Sequence, residues 1–109
     1  MSERFVTDDM PVYVISVAAE LSGLHAQTLR TYDRLGLVTP GRSAGGSRRY
    51  SARDIAQLGE VQRLSSEGIG LEGIKRILEL ENEVAHLRRR LAEIEGQRRS
   101  SALVVWRRN

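Results

Sequence analysis

Apolar residues recur at helical spacing in two short stretches near the start of the chain, and a glycine lies between them. The first stretch, over residues 16–21, begins at a serine that is a candidate N-cap. The second runs from Leu24 to Leu35, and Gly36 is expected to end it because glycine readily adopts the left-handed conformation of a helix C-terminus. Two short helices joined by a turn with Gly23 predict a helix-turn-helix, in which the second helix can enter the major groove of DNA.

The segment after these helices has the pattern of a small β-hairpin. Val38 and residues 48–50 are expected to pair as two short strands around Ala44-Gly45-Gly46-Ser47, because adjacent glycines supply the positive φ that a tight turn needs. Residues 12–15 form a further short β-prone run. The chain therefore combines helices with a minor β component.

Two more helices are predicted in the second half of the chain. Ser51 and Asp54 have the spacing of a capping box, which places the start of a third helix over residues 51–67. Gly68-Ile69-Gly70 then interrupts the chain, and a fourth helix starts at Leu71.

From residue 77 onward, apolar positions are separated alternately by three and four residues. This heptad spacing is narrower than the apolar face of a helix in a globular core, so it predicts a coiled coil through which the chain forms a homodimer. The flanking charges can pair in a parallel or an antiparallel dimer, which leaves the orientation open. Gly96 is expected to end the helix. The predicted dimerisation residues are Ile77, Leu80, Val84, Leu87, Leu91 and Ile94.

The sequence predicts polar extensions at both ends of the chain. Residues 1–11 are expected to form a flexible arm, and residues 97–109 a flexible basic tail. The tail contains an apolar segment, which either docks on a partner or folds back onto the domain. The residues of this candidate partner-binding segment are Leu103, Val104, Val105 and Trp106.

Positive charge is concentrated where the helix pair and the hairpin are predicted. Residues 25–63 contain seven arginines and three acidic residues, and sixteen of the 17 basic residues in the chain are arginine. Arg42, Arg48 and Arg49 lie on or beside the glycine-rich turn. Arginine binds phosphate and guanine through two parallel hydrogen bonds, so this pattern predicts salt-sensitive binding to nucleic acid.

Other classes of protein are disfavoured by what the 109 residues lack. There is no cysteine, so disulfides, thiolate metal sites and cysteine nucleophiles are excluded. The two histidines, His25 and His86, have no nucleophile or metal-ligand partners at useful spacing, so neither an enzyme nor a bound metal or cofactor is expected. No signal peptide or membrane span is present, which predicts a cytoplasmic protein.

The run ISVAAELSGLHAQTLRTYDRLGLVTPGRSAGGSRRYSARDI, followed by VQRLSSEGIGLEGIKRILELENEV, resembles the MerR family of winged-helix regulators, and within it the heat-shock repressors. The resemblance covers about residues 12–96. Its signature is a recognition helix with the motif L-R-x-Y-[DE] and a glycine-bearing wing that ends R-R-Y. It implies a mainly α fold: a winged helix-turn-helix over residues 12–78 with a small β-hairpin wing, then a C-terminal coiled-coil dimerisation helix over 79–96.

The resemblance also implies roles for individual residues. Arg30 and Tyr32 should anchor the recognition helix to phosphates, the wing should contribute further contacts, and the start of the helix should meet base edges, where Gln27 matches adenine. Thr31 stands where many relatives have an aromatic residue. The predicted DNA-binding residues are His25, Ala26, Gln27, Thr28, Arg30, Thr31, Tyr32, Arg34, Arg42, Arg48, Arg49 and Tyr50.

By the same resemblance, the expected function is repression of chaperone genes through an inverted-repeat operator in double-stranded DNA, with the Hsp70 chaperone DnaK as corepressor. Two alternatives remain open from the residues. One is a coiled-coil adaptor that uses the zipper and the tail without DNA. The other is a MerR-type activator of unrelated stress genes, which would share the same DNA-reading domain.

Overall fold

The structure, a computed structural model, describes the backbone of residues 7–107 and the side chains of residues 7–101. Most of this part of the chain is helical. In chain order, the elements are β1 (Tyr13–Val14), α1 (Ile15–Ser22), α2 (Ala26–Arg34), β2 (Gly41–Arg42), β3 (Arg48–Tyr50), α3 (Ala52–Ser66) and α4 (Leu71–Arg107).

The strands of the described part form one antiparallel sheet in the order β1-β3-β2. The central strand pairs Tyr50 with Tyr13 on one side and Arg48 with Arg42 on the other. The β-prone run near the start of the chain thus joins the hairpin and forms one edge of the wing.

The first hairpin strand begins later than the sequence predicts. Val38 is 1% exposed and belongs to the core, whereas strand pairing starts at Gly41. Pro40 lies between them, and a proline has no N–H group to donate to a neighbouring strand. The expectation that Val38 forms the strand is therefore wrong.

Helix N-termini show one confirmed and one wrong prediction. At α3, the Ser51 hydroxyl accepts the N–H of Asp54 at 3.0 Å and the Asp54 carboxylate accepts the N–H of Ser51 at 3.0 Å, so the predicted capping box is present. At α1, the N-cap is Val14, without a side-chain cap, and Ser16 lies inside the helix. Because β1 is extended until Val14, the helix can begin directly after the strand.

The chain divides into two compact units between Lys75 and Arg76. The first unit has a small apolar core to which the helices and the sheet all contribute. Its buried residues include Ala18, Leu29, Leu37, Val38, Tyr50, Leu58, Val61, Leu64 and Ile74. The side chain of Gln57 adds a hydrogen bond from its Nε2 to the carbonyl oxygen of Leu37, which joins α3 to the segment after α2.

Part of the predicted N-terminal arm makes contacts in the first unit. The carbonyl oxygen of Asp8 accepts the N–H of Arg53 at 3.0 Å, and the Asp9 carboxylate lies 3.1 Å from the Arg53 guanidinium. Residues 8 and 9 therefore lie at the first turn of α3. Residues 1–6 lie outside the described part of the chain.

The second unit continues α4, which is one unbroken helix from Leu71 to Arg107. The helix end predicted at Gly96 is wrong. One glycine inside a helix costs about 1 kcal/mol relative to alanine, and the residues on both sides of Gly96 are good helix formers. The backbone of residues 97–107 is accordingly helical, where the sequence predicts a flexible tail.

Candidate DNA-binding surface

The predicted helix-turn-helix is formed by α1 and α2. Gly23 ends α1 with a φ of 74°, and its N–H is directed at the carbonyl oxygens of Ala19 and Glu20. The Ser22 hydroxyl donates to the Ala19 carbonyl at 3.2 Å and accepts the N–H of Leu24 at 3.3 Å. These bonds hold the turn and thereby set the direction in which α2 leaves α1.

One face of α2 carries a connected row of polar side chains. Gln27, Arg30, Thr31 and Arg34 occupy positions i, i+3, i+4 and i+7, which lie side by side on a helix. Arg30 donates to the Gln27 side-chain oxygen at 3.4 Å, and Arg34 donates to the Thr31 hydroxyl at 3.2 Å. The row presents two guanidiniums, an amide and a hydroxyl on one side of the recognition helix.

The other predicted contacts of α2 lie at its first turn. His25 is the N-cap residue and is exposed, but its side chain makes no capping hydrogen bond. Ala26 and Thr28 are half-buried, whereas Gln27 is exposed. His25 and Gln27 are therefore the exposed residues at the start of α2.

Tyr32 lies on the buried side of α2. Its side chain is 9% exposed and shares the buried side of the helix with Leu29, which is fully buried. The two residues are three apart and so lie on one face. The ring of Tyr32 therefore packs in the core, and its phosphate contact stays a prediction.

The predicted glycine-rich turn joins β2 to β3. The N–H of Ser43 donates to the Ser47 carbonyl at 2.8 Å, and the N–H of Gly46 donates to the Ser43 carbonyl at 2.9 Å. Gly46 has a φ of 88°, the conformation for which the sequence predicts glycine. The Ser43 hydroxyl accepts the N–H of Ser47 at 3.1 Å, which further closes the loop.

Two of the wing arginines bind one carboxylate of the recognition helix. The Asp33 Oδ2 lies 2.8 Å from Arg42 Nη2 and 2.8 Å from Arg48 Nε. The third, Arg49, donates to the backbone carbonyl of Arg48 at 3.2 Å. The structure thus brings Arg42 and Arg48 of the wing to the end of α2 at Asp33. Asp33 is not among the residues that the sequence predicts for this surface, although an acidic residue within a basic stretch is a signal for such a partner.

Tyr50 is fully buried, and its hydroxyl has no hydrogen-bond partner within the described residues. Burial is the largest influence on this hydroxyl and raises its pKa above the ordinary value. A buried hydroxyl cannot reach a phosphate outside the protein. The predicted DNA contact of Tyr50 is therefore wrong, and its ring acts as a core residue beneath the wing.

Replacing Tyr50 by Phe is expected to leave DNA affinity unchanged and to stabilise the fold. An unsatisfied buried hydroxyl costs roughly 1–3 kcal/mol of desolvation, so its removal should raise the free energy of unfolding by up to about that amount. Chemical denaturation and a DNA titration measure the two quantities. Tyr13→Phe, in the paired and half-buried position across the sheet, is the matched control. A tenfold loss of DNA affinity in Tyr50→Phe alone would restore Tyr50 as a DNA contact.

The predicted dimerisation residues form an exposed stripe on α4 in the second unit. The five stripe residues between Leu80 and Ile94, with both ends included, are 44–57% exposed, and Ile77 is half-buried. The remaining residues of the stripe are Val84, Leu87 and Leu91. A row of large apolar side chains on a water-exposed helix is typical of a helix that pairs with another.

Some predictions fall outside what the structure describes. The side chains of Leu103, Val104, Val105 and Trp106 lie beyond the described residues. Within the described residues, no set of three or more His, Asp or Glu side chains is grouped as a metal site would require. In the same residues, no helix combines the length and the apolar character needed to cross a bilayer.

Comparison with known proteins relates this architecture to one family. Residues 13–81 match the model of the MerR HTH family regulatory proteins. A Streptomyces coelicolor protein described as a putative heat shock protein HspR is 70% identical over 90 residues, which cover 82% of this chain and 60% of that protein. The chain therefore spans less than two-thirds of that relative's length.

Two solved structures are similar in fold and sequence. HiNmlR, described as a MerR family regulator lacking the sensor domain and bound to promoter DNA, has a TM-score of 0.58 and 32% identity over 76% of this chain and 75% of its own. The regulator SkgA from Caulobacter crescentus has a TM-score of 0.57 and 29% identity over 90% of this chain and 75% of its own. The helix-turn-helix with its wing, the matching family model and these relatives together show that the chain belongs to the MerR family of DNA-binding transcriptional regulators.

Proposed function

We propose that this protein is a sequence-specific repressor of heat-shock chaperone genes, which binds an inverted-repeat operator as a homodimer with DnaK as corepressor. The observation that carries the heat-shock assignment is the 70% identity with the Streptomyces protein described as a putative heat shock protein HspR. As a regulator of these genes, the protein would act on DNA in the cytoplasm. The geometry of the basic surface supplies the mechanism by which it would act.

In this proposal, α2 reads the major groove and the wing holds the neighbouring phosphates. Gln27 is exposed at the first turn of α2, and its amide has the donor and acceptor that match an adenine edge. Arg30 and Arg34, on the same helix face, lie where they would contact the sugar-phosphate backbone beside that base. Arg49 and the more exposed Arg42 would extend these contacts from the wing.

The stripe on α4 supports binding as a dimer. Pairing of two copies along Leu80, Val84, Leu87, Leu91 and Ile94 would remove these side chains from water, which is the main driving force for association. Two copies related by a two-fold axis present two recognition helices in opposite directions. An inverted repeat, in which the two half-sites are related by the same symmetry, is the matching DNA sequence.

Corepression by DnaK is the part of the proposal that concerns regulation. The candidate contact is the apolar segment Leu103–Trp106, which has Arg98 and Arg99 before it and Arg107 and Arg108 after it. Hsp70 chaperones favour extended segments of this composition, with aliphatic residues between basic flanks, so DnaK would bind the segment with the last turns of α4 unwound. In this account, DnaK bound to the regulator favours repression, and unfolded proteins that accumulate on heating draw DnaK away.

A gel shift on the upstream region of the organism's own chaperone operon, with and without DnaK, tests the proposal. We expect specific binding with a steep salt dependence, and at least about a tenfold gain when DnaK is added, equivalent to roughly 1.4 kcal/mol. Deletion of residues 102–109 is expected to abolish the gain and to preserve DNA binding in the absence of DnaK. A scrambled duplex of equal length is the control for specificity.

Each alternative outcome identifies a different error. Specific binding without any response to DnaK would keep the repressor and remove the corepressor. A response to DnaK that survives the deletion would remove the tail from the account. The absence of specific binding would favour the coiled-coil adaptor, and increased transcription on binding would favour an activator.

A further inference from the structure

We propose that Asp33 is a specificity-determining residue of the DNA-binding surface, which positions Arg42 and Arg48 so that the wing engages phosphates only in the register set by α2. The inference rests on the proposed function, because it concerns recognition of an operator. Asp33 lies at the end of the recognition helix, and the two arginines lie on the two strands of the wing. One carboxylate oxygen therefore joins the element that reads bases to the element that holds the backbone.

The geometry of the pair of arginines requires such a partner. Arg42 and Arg48 are directly opposite each other in the β2–β3 register, and like charges in that position repel. Asp33 Oδ2 is 2.8 Å from a guanidinium nitrogen of each residue. The negative charge placed between two positive ones offsets their repulsion and keeps both guanidiniums on the side of the wing that faces α2.

Burial makes the contact between Asp33 and the two arginines stronger than a surface ion pair. The side chain of Asp33 is 14% exposed and that of Arg48 is 22% exposed, whereas the Asp9–Arg53 pair is 69% and 68% exposed. Charges that are partly withdrawn from water are screened less and interact more strongly than exposed pairs. Arg42, at 48%, retains more contact with solvent.

The contact with Asp33 leaves both arginines able to bind DNA. A guanidinium has five N–H donors, and each arginine directs one nitrogen at Asp33. The other donors remain available for phosphate oxygens. Asp33 thus fixes the direction of the guanidiniums before DNA arrives, which lowers the entropy lost on binding in the correct register and penalises binding in any other.

Neutralising Asp33 is therefore expected to separate affinity from specificity. In Asp33→Asn the arginines lose their fixed direction and can follow the phosphates of any duplex. We expect affinity for a scrambled duplex to rise several-fold, with the slope of log K against log salt steeper by about 0.9 for each arginine released to a phosphate. Affinity for the operator should not rise, so the ratio of the two affinities should fall by about tenfold or more.

The experiment is a fluorescence-anisotropy titration of the full-length protein with operator and scrambled duplexes of equal length and composition, over a potassium chloride series. Asp9→Asn is the matched control, because it removes the same charge from the exposed pair with Arg53. We expect it to affect both duplexes equally and to leave the ratio unchanged. Asp33→Glu keeps the charge and is expected to recover most of the ratio that Asp33→Asn loses.

The outcomes separate this inference from the proposed function. An unchanged ratio in Asp33→Asn, or an equal change in Asp9→Asn, would overturn the role of Asp33. An equal loss of affinity for both duplexes, with a lower melting temperature, would make Asp33 a purely structural residue and would also overturn the inference.

The wild type tests the proposed function separately. If it fails to distinguish the operator from the scrambled duplex, the proposed function is wrong, and the salt slope on scrambled DNA still reports whether Asp33 holds the arginines. Should Asp33→Asn not fold, Asp33→Ser decides, because it also removes the carboxylate: an operator-to-scrambled ratio equal to that of the wild type would overturn the inference.

Discussion

Replacing Leu87 by Glu is expected to convert a dimer into a monomer and to lower affinity for an inverted-repeat operator by about 100-fold or more. Leu87 is 55% exposed in the single chain and lies in the middle of the apolar stripe on α4. A dimer would bury it against the partner helix, and a charge buried there without a partner is strongly unfavourable. The dimer should therefore dissociate.

The loss of operator affinity follows from the loss of the second half-site. When two reading domains are joined, binding of the second is intramolecular and has an effective concentration in the millimolar range, which typically raises affinity by about 10²–10⁴-fold. A monomer binds one half-site and loses this gain. Its single-site contacts remain, because the helix-turn-helix and the wing lie in the other compact unit.

Sedimentation equilibrium and operator titration measure the two effects. Asn82→Glu is the matched control, because it adds the same charge on the side of α4 away from the stripe. It is expected to leave both the dimer and the operator affinity unchanged. A Leu87→Glu variant that remains dimeric at micromolar concentration would show that the stripe does not hold the dimer together.

The double variant Arg30→Ala and Arg49→Ala is expected to lose about 100-fold or more in DNA affinity on operator and scrambled duplexes alike. Arg30 lies on the polar face of α2 and Arg49 on the central strand of the wing. A hydrogen bond to a charged group contributes about 1.5–3 kcal/mol, and each protomer would lose two. Because phosphates carry no sequence information, the loss should not depend on the sequence of the duplex.

A salt titration gives the specific signature of this loss. Each phosphate contact removed should lower the slope of log K against log salt by about 0.9. Arg63→Ala is the control, since Arg63 is an exposed arginine of α3 that pairs with Glu67 at 2.9 Å and is outside the predicted surface. An unchanged slope in the double variant would mean that these two arginines do not bind phosphate, and it would favour the adaptor function that needs no DNA.

The features that the sequence predicts correctly are those that depend on neighbours in the chain. The capping box of Ser51 and Asp54 spans one helical turn, the wing turn needs a glycine with positive φ, and the apolar period of residues 77–94 indicates a helix. Each can be recognised because the interactions that set the conformation are made between residues of the same short segment. The helix-turn-helix and the mainly α fold follow from the same local patterns.

The predictions that are wrong concern positions where local propensity is weak or where a distant segment decides the conformation. Ser16 suits an N-cap by residue type, but the pairing of Tyr13 with Tyr50 keeps the chain extended until Val14. Gly96 suits a helix end by residue type, but a glycine inside a helix costs only about 1 kcal/mol, and the helix continues to Arg107. In both cases the residue type indicates a helix end, and the neighbouring structure decides the conformation.

The sequence alone thus determined the order of elements, the basic character of the reading surface and the apolar stripe of α4. Only the tertiary structure decided that Tyr32 and Tyr50 serve the core, and that Asp33 holds Arg42 and Arg48 across intervals of nine and fifteen residues. The physical reason is that a tyrosine suits both a buried and a half-exposed position, and a carboxylate suits any nearby arginine. Which partner each one meets is fixed by the packing of the helices against the wing.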